Sequence, residues 1–300
     1  MFSYHIIFLW QSLKITSTHT KNTFQNLFYF HVSSAICLLL PYKNSSVAVQ
    51  QDFWCKLLGW SCREECRYQC MWTAVRSFQI AGEDIPKFHG KWPFTRVMGI
   101  QEPASAFASV LNLIANAYMY KKIQKFPMSK AYTMPIVCMN AWVWSTIFHM
   151  RDNPFTEFMD YACALSMVMS LFVAAIVSKL MLVILVVPLF YFVTHVRYLY
   201  SGVINYDYNM NINIFFGKPF YMVETLVWHA RRRYAWRMVA FTLLSGAALS
   251  LELFDFPPKL AAWDAHALWH LSTAPLPLLF YRYVHAIPLD DNFCSCPLAS

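Results

Sequence analysis

From residue 104 to residue 284 the chain is a series of apolar runs separated by short loops, and this pattern constrains the fold most. The runs fall at 104–120, 131–150, 157–178, 180–200, 211–230, 235–254 and 264–284. A helix of about 20 apolar residues crosses the ~30 Å hydrocarbon layer of a bilayer. Runs of that length, repeated, exceed what a soluble core needs. The expected fold is therefore all-α and integral to the membrane: a seven-transmembrane-helix bundle with a small disulfide-bearing luminal segment before it. The fifth run is the least regular, because Gly217-Lys218-Pro219 interrupts it and Glu224 lies within it. Composition agrees: 58% of residues are hydrophobic and 13% charged, against roughly 25% charged in an average soluble domain.

The formal charge of +8 does not point to nucleic acid, because most basic residues sit in the loops between runs. With seven glycines, no Gly-rich phosphate loop is present. Lys121, Lys122 and Lys125 follow the first run, and Lys179 separates the third and fourth. Arg231, Arg232, Arg233 and Arg237 lie between the fifth and sixth, and Arg282 ends the seventh. These ends share one side if the spans alternate, and positive-inside topology makes it the cytosol. The N-terminus is then luminal and the C-terminal tail, 285–300, cytosolic.

Residues 1–48 read as a signal peptide or a retained anchor. Lys14 and Lys21 precede the apolar stretch Leu27 to Leu40, and Ser46-Val47-Ala48 offers small residues for cleavage. Asn44-Ser45-Ser46 fits the glycosylation sequon. The luminal Cys-rich and interfacial segment, 49–103, carries Cys55, Cys62, Cys66 and Cys70. A metal knuckle would use tighter spacing, so two disulfides in an oxidising lumen are expected, with three pairings open. Cys37, Cys138, Cys163, Cys294 and Cys296 read as apolar fillers or tail thiols, with palmitoylation conceivable at Cys294 or Cys296. Lys87-Phe88-His89-Gly90-Lys91-Trp92-Pro93-Phe94 and Arg96 form an interfacial collar.

Five residues carry the chemistry. Ser145 and His149 lie four apart, on one helix face; Asp160 follows a helix-breaking loop; His266 and His270 repeat the four-residue spacing. In the topology above, all five sit on the luminal side at similar depth. A single histidine is more often a packing residue and Ser145 alone says little, but a carboxylate near the bilayer boundary is costly and usually functional. His149, His266 and His270 would bind zinc, leaving a fourth position for water. Zinc lowers the pKa of such a water to ~7 and polarises a carbonyl. Asp160 would hold the water and take its proton, and Ser145 would hydrogen-bond the water or the developing oxyanion. At this depth an ester or amide of an acyl lipid is the natural substrate. His195 lies deep enough to support the site, whereas His229 is on the cytosolic side. Asp207, Asn209, Glu252 and Asp255 are assigned structural or headgroup-contact roles. No Gly-x-Ser-x-Gly elbow is present, which disfavours a serine lipase.

Several motifs resemble those of the GPI-remodelling lipase family. They are Cys62-x3-Cys66-x-Tyr68-x-Cys70-Met71-Trp72, Gly90-Lys91-Trp92-Pro93-Phe94 and Gln101-Glu102-Pro103-Ala104-Ser105 before the first run. Within and between the runs come Trp144-Ser145-x3-His149-x-Arg151-Asp152, Asp160-Tyr161, Asp207-Tyr208-Asn209-Met210 and Asp264-Ala265-His266-x2-Trp269-His270. The resemblance covers about Cys55 to Pro288. It extends to the CREST superfamily of seven-span metal hydrolases, which includes alkaline ceramidases and the adiponectin-receptor group. It implies removal of the sn-2 acyl chain from GPI anchors of proteins, in the Golgi or endoplasmic reticulum membrane, with GPI-anchored proteins as lipid substrate. The superfamily pattern Ser-x3-His, Asp and His-x3-His maps onto Ser145, His149, Asp160, His266 and His270. Residues 1–50 depart from the family, whose members carry further cysteines there. Two rivals follow: a ceramidase-like amide hydrolase, against which the collar motifs argue, and a seven-span receptor or scaffold with a structural zinc.

Overall fold

The structure, a computed structural model, describes residues 52–88, 90–123, 133–177, 183–217, 232–259 and 262–294. The leader, the Asn44 sequon, Cys37, His89, Glu224, His229 and Cys296 lie outside the described residues. The described residues are helical, with isolated bridges and no strand among them. They divide into two compact units, meeting in sequence at Phe94 and Thr95.

The first unit holds α1 (Phe53–Leu57) and α2 (Cys62–Ala81). A capping box starts α2. The Ser61 hydroxyl accepts from the Glu64 N–H at 3.3 Å, and the Glu64 carboxylate accepts from the Ser61 N–H at 2.7 Å. Gly82, at φ 71°, ends it in the left-handed conformation that an L side chain resists. This helix corrects the cysteine reading. Cys70 is disulfide-bonded, but not to Cys55, Cys62 or Cys66, which are thiols. Residues four apart on a helix keep their Cβ atoms about 5–6 Å apart, whereas a disulfide needs ~3.5–4.5 Å. The four-residue repeat that marks the helix therefore opposes bonds within it. In the collar, the Lys87 ammonium lies over the Trp92 ring, 5.1 Å from its centre.

The second unit holds α3 (Pro103–Ile123), α4 (Thr133–Met150), α5 (Pro154–Val177), α6 (Val183–Tyr200), α7 (Tyr206–Phe216), α8 (Ala235–Phe254), α9 (Ala265–Thr273) and α10 (Leu276–Cys294). The first four follow the first four apolar runs closely, and α8 coincides with the sixth. Among the described residues, α8 is the one helix long and apolar enough to cross a membrane by length and hydropathy. The α3 helix is diluted by buried Ser105, Ser109, Asn112 and Asn116. Helix α7 covers the start of the fifth run and ends at Gly217, where a Cβ would lie 2.8 Å from the Asn213 carbonyl oxygen; the rest of that run lies outside the described residues. The seventh run is broken in two. Pro275 has no N–H for the Leu271 carbonyl, which accepts from Ala274 instead at 3.3 Å, and α10 starts afresh at Leu276.

Helix α3 is central, packing on α4, α9 and α10, while α8 packs on α9 and α10. Helix α5 joins α4 to α6 and α7. A buried cluster ties the end of α3 (Met119, Ile123) and the start of α4 (Met134, Cys138) to Met238 of α8 and Phe280, Tyr281 and Tyr283 of α10. A second joins Leu165 and Met169 of α5 to Phe216 of α7. Neither cluster includes the chemical residues, which gather at the opposite ends of α3, α4 and α8.

Candidate metal centre

The last turn of α4 and the residues before α3 are strapped together. The Gln101 and Glu102 N–H groups donate to the Met150 and His149 carbonyls, both at 3.0 Å, satisfying helix-end acceptors that would otherwise be orphaned. The Gln101 side chain accepts from the Asp152 N–H at 3.1 Å. Pro103 then begins α3, where its missing N–H costs nothing. The strap sets the Glu102 carboxylate against the His149 ring, with Nδ1 2.7 Å from Oε2. Both residues are buried.

Asp264 caps α9, its carboxylate accepting from the Ala267 N–H at 2.8 Å. That fixes the turn carrying His266 and His270. The end of α8 supplies Glu252, whose Oε2 lies 2.8 Å from His266 Nδ1; its other oxygen accepts from the Tyr206 hydroxyl. Asp255, at φ 43°, closes α8 just beyond.

The three histidines face one another through Nε2. His270 Nε2 lies 3.0 Å from His149 Nε2 and 3.0 Å from His266 Nε2. The ligand atoms of the three all fall within 4.8 Å of one another. A carboxylate accepts, so Glu102 and Glu252 hold the protons of His149 and His266 on Nδ1 and leave both Nε2 atoms as lone pairs. Neutral His270 can place its one proton on Nε2, satisfying one neighbour, or on Nδ1, which is buried with no hydrogen-bond partner. With the proton on Nδ1, three lone pairs face one another, two of the contacts at 3.0 Å; with it on Nε2, a single N–H is shared between two acceptors. A cation among the three Nε2 atoms removes that repulsion, and a divalent one also balances the two carboxylates. The cluster can therefore hold a metal ion, and imidazole nitrogens suit zinc.

The surroundings are aromatic on one side. Trp142 and Trp269 pack on the His270 ring at 5.4 and 4.7 Å between centres. His149 and His270 are buried, while the His266 side chain keeps 29% of its exposure, so the cluster opens towards His266. Ser145 is buried one turn before His149, its hydroxyl 3.2 Å from that of Ser109. Asp160 is partly buried on α5, and its carboxylate is not among the clustered ligand atoms.

The structure thus brings His149, His266 and His270 into one group and buries Ser145 on the same helix as His149. His195 stands outside that group: its Nε2 lies 2.9 Å from Asn209 Oδ1, with Tyr198 and Tyr208 against its ring. Glu102, Glu252 and Ser109 were not anticipated as site residues. For Glu252 a signal existed, a carboxylate inside an apolar run. For Glu102 the pairing spans 47 residues and has no local signature.

A model of the Per1-like family matches residues 53–286. The chain is 42% identical over 270 residues to post-GPI attachment to proteins factor 3 of Drosophila melanogaster, covering 84% of this chain and 82% of that one. It is 42% identical over 260 residues to the GPI-specific phospholipase A2-like PGAP3 of Danio rerio (79% and 78% covered). With the PGAP3 of Homo sapiens it shares 38% identity over 264 residues (81% and 80%). No solved structure matches.

Proposed function

The chain belongs to the Per1-like family, and from that premise we propose that it is a zinc-dependent acyl-ester hydrolase removing the sn-2 fatty acid of GPI anchors on proteins. The names of its relatives support a GPI-lipid substrate. The observation that carries the chemistry is the convergence of three Nε2 atoms, two of them fixed as lone-pair donors by buried carboxylates.

His149, His266 and His270 would hold the metal; Glu102 and Glu252 fix the rings of the first two. Zinc bound there supplies an acidified water and a Lewis acid for the ester carbonyl. Asp160 takes the proton of the attacking water and returns it to the leaving alkoxide. Ser145 donates its hydroxyl to the carbonyl oxygen, and Ser109 orients that hydroxyl from the neighbouring helix. The open side at His266 admits the ester, and the tryptophans behind His270 exclude water from the closed side.

In this reading residues 1–48 are a leader or anchor, 49–103 a luminal segment, 104–284 a seven-span bundle and 285–300 a cytosolic tail. The site faces the lumen of the Golgi or endoplasmic reticulum. The test is the sn-2 chain composition of GPI anchors in cells lacking their own activity. Wild type should remove the original chain and Asp160→Asn should not. Equal activity of the two would remove Asp160 from the mechanism, and an inert wild type that still carries zinc would favour the scaffold role.

A further inference from the structure

His270, the second histidine of α9, sits little more than a turn before the place where the seventh apolar run breaks. Because Ala274, just before Pro275, donates to Leu271, the His270 carbonyl loses its helical N–H donor. Two side chains replace it: Thr273 Oγ1 at 2.9 Å and, from the neighbouring helix, Asn112 Nδ2 at 2.7 Å.

Asn112 is fully buried and both of its amide N–H donors are used. Its second N–H reaches the Ala108 carbonyl at 3.0 Å, and its Oδ1 lies 3.4 Å from Thr273 Oγ1, a longer alternative for the one hydroxyl proton that the His270 carbonyl also accepts. One turn along α3, Asn116 Nδ2 donates to the Asn112 carbonyl at 2.9 Å, and Asn116 Oδ1 accepts from the Tyr281 hydroxyl on α10 at 3.3 Å. The asparagines thus hold opposite sides of the break, Asn112 the α9 side and Asn116 the α10 side. A buried amide is costly unless bonded, and here every donor on Asn112 is spent on the backbone of α3 or on the residue that carries the middle ligand.

We propose that Asn112 is a positioning residue for the metal cluster: its hydrogen bond to the His270 carbonyl sets the end of α9, and with it the aim of the His270 ring between His149 and His266. Asn116 is a structural counterpart on the far side of the break, with no path to the ligands except through it. The inference rests on the three histidines binding zinc.

The test is zinc affinity of the full chain in detergent, measured by competition against a chromogenic chelator, with the metal-free melting temperature measured alongside. Asn112→Leu should weaken zinc by about 10–100-fold, the range for losing an outer partner of a metal ligand. Asn116→Leu should lower the melting temperature with zinc affinity within about twofold of wild type. Thr273→Val, which keeps size and fold, should fall between them and covers the case in which Asn112→Leu does not fold. Cobalt-loaded Asn112→Leu or Thr273→Val should show a shifted visible spectrum that Asn116→Leu does not. Equal zinc loss in Asn112→Leu and Asn116→Leu, or none in Asn112→Leu and Thr273→Val, overturns the positioning role while leaving the zinc site standing. A wild type that binds no zinc overturns both.

Discussion

Helices α3, α4, α8 and α10, with α9 continuing the α10 line, close the bundle at both ends with opposite chemistry. At one end Met119, Ile123, Met134, Cys138, Met238, Phe280 and Tyr283 meet as a buried, almost wholly apolar cluster. At the other, about 16 Å away along α4 at 1.5 Å per residue, Glu102, Ser109, Ser145, His149, Glu252 and His270 meet with ring nitrogens and carboxylates in contact. The apolar end depends on volume, since any side chain of the right shape fills it. The polar end depends on the direction of lone pairs, and no residue there is replaceable by an isostere without leaving a donor or acceptor stranded. The first end should therefore govern stability and the second metal binding, with little crossover.

The sharpest way to break that separation is His270→Ala. His270 touches both other imidazoles at 3.0 Å, so its removal leaves two ligands with no common neighbour. No zinc should copurify by elemental analysis, and sn-2 chain removal from GPI anchors should fall to background. Retained zinc with lost activity would assign His270 to chemistry and not to metal binding.

Next in size are the carboxylates. Glu102→Gln and Glu252→Gln keep an oxygen for Nδ1 but remove the charge, and each should weaken zinc by about 10–100-fold in chelator competition. Glu102→Gln should lie at the upper end of that range. Its histidine is sealed at 1% side-chain exposure, while His266 retains 29% and is partly screened by water. Equal losses would mean that burial does not distinguish the two pairs.

How much of this could be read beforehand follows the same division. The helices of the apolar end were legible as runs, since hydropathy is local: α3 to α6 and α8 fall close to where the runs did. The histidine spacings were legible too, because positions four apart share a face on any helix. Partners across helices were not. Glu102 meets His149 because backbone hydrogen bonds strap the start of α3 to the end of α4, a register no local pattern encodes. The break in the seventh run was written in Pro275 and Pro277, yet hydropathy alone reads straight through it, since proline between leucines scarcely alters an average. The cysteine pattern misled only as to pairing: Cys70 is disulfide-bonded, but a spacing that suits a helix was read as one that pairs the four cysteines with each other.

A smaller effect is expected at the edge of the polar end. Tyr206 is 43% exposed, and only its hydroxyl is asked to matter, through Glu252 to His266. Tyr206→Phe removes one oxygen and keeps the ring; the lost bond is charge-assisted, but at this exposed edge water takes over much of it, so zinc affinity should drop about threefold, ~0.7 kcal/mol. A drop as large as that of Glu252→Gln would mean that Tyr206, not burial, holds the carboxylate in place.

The smallest expected change in metal binding is also the strictest test of the comparison. Met238 is fully buried in the apolar cluster, on the same helix as Glu252 but 14 residues before it. Met238→Ala removes a side chain that α10 packs against, and a buried Met-to-Ala change costs about 2–5 kcal/mol, which a depressed melting temperature should register. Zinc affinity of the surviving folded protein should be unchanged, because a helix transmits a lost side chain poorly when four other contacts hold the far end: the Glu102 and Gln101 strap, the Asp264 cap and the two carboxylate–imidazole bonds. A parallel loss of zinc would show that the two ends are one cooperative structure, and that the polar end borrows its geometry from the apolar one.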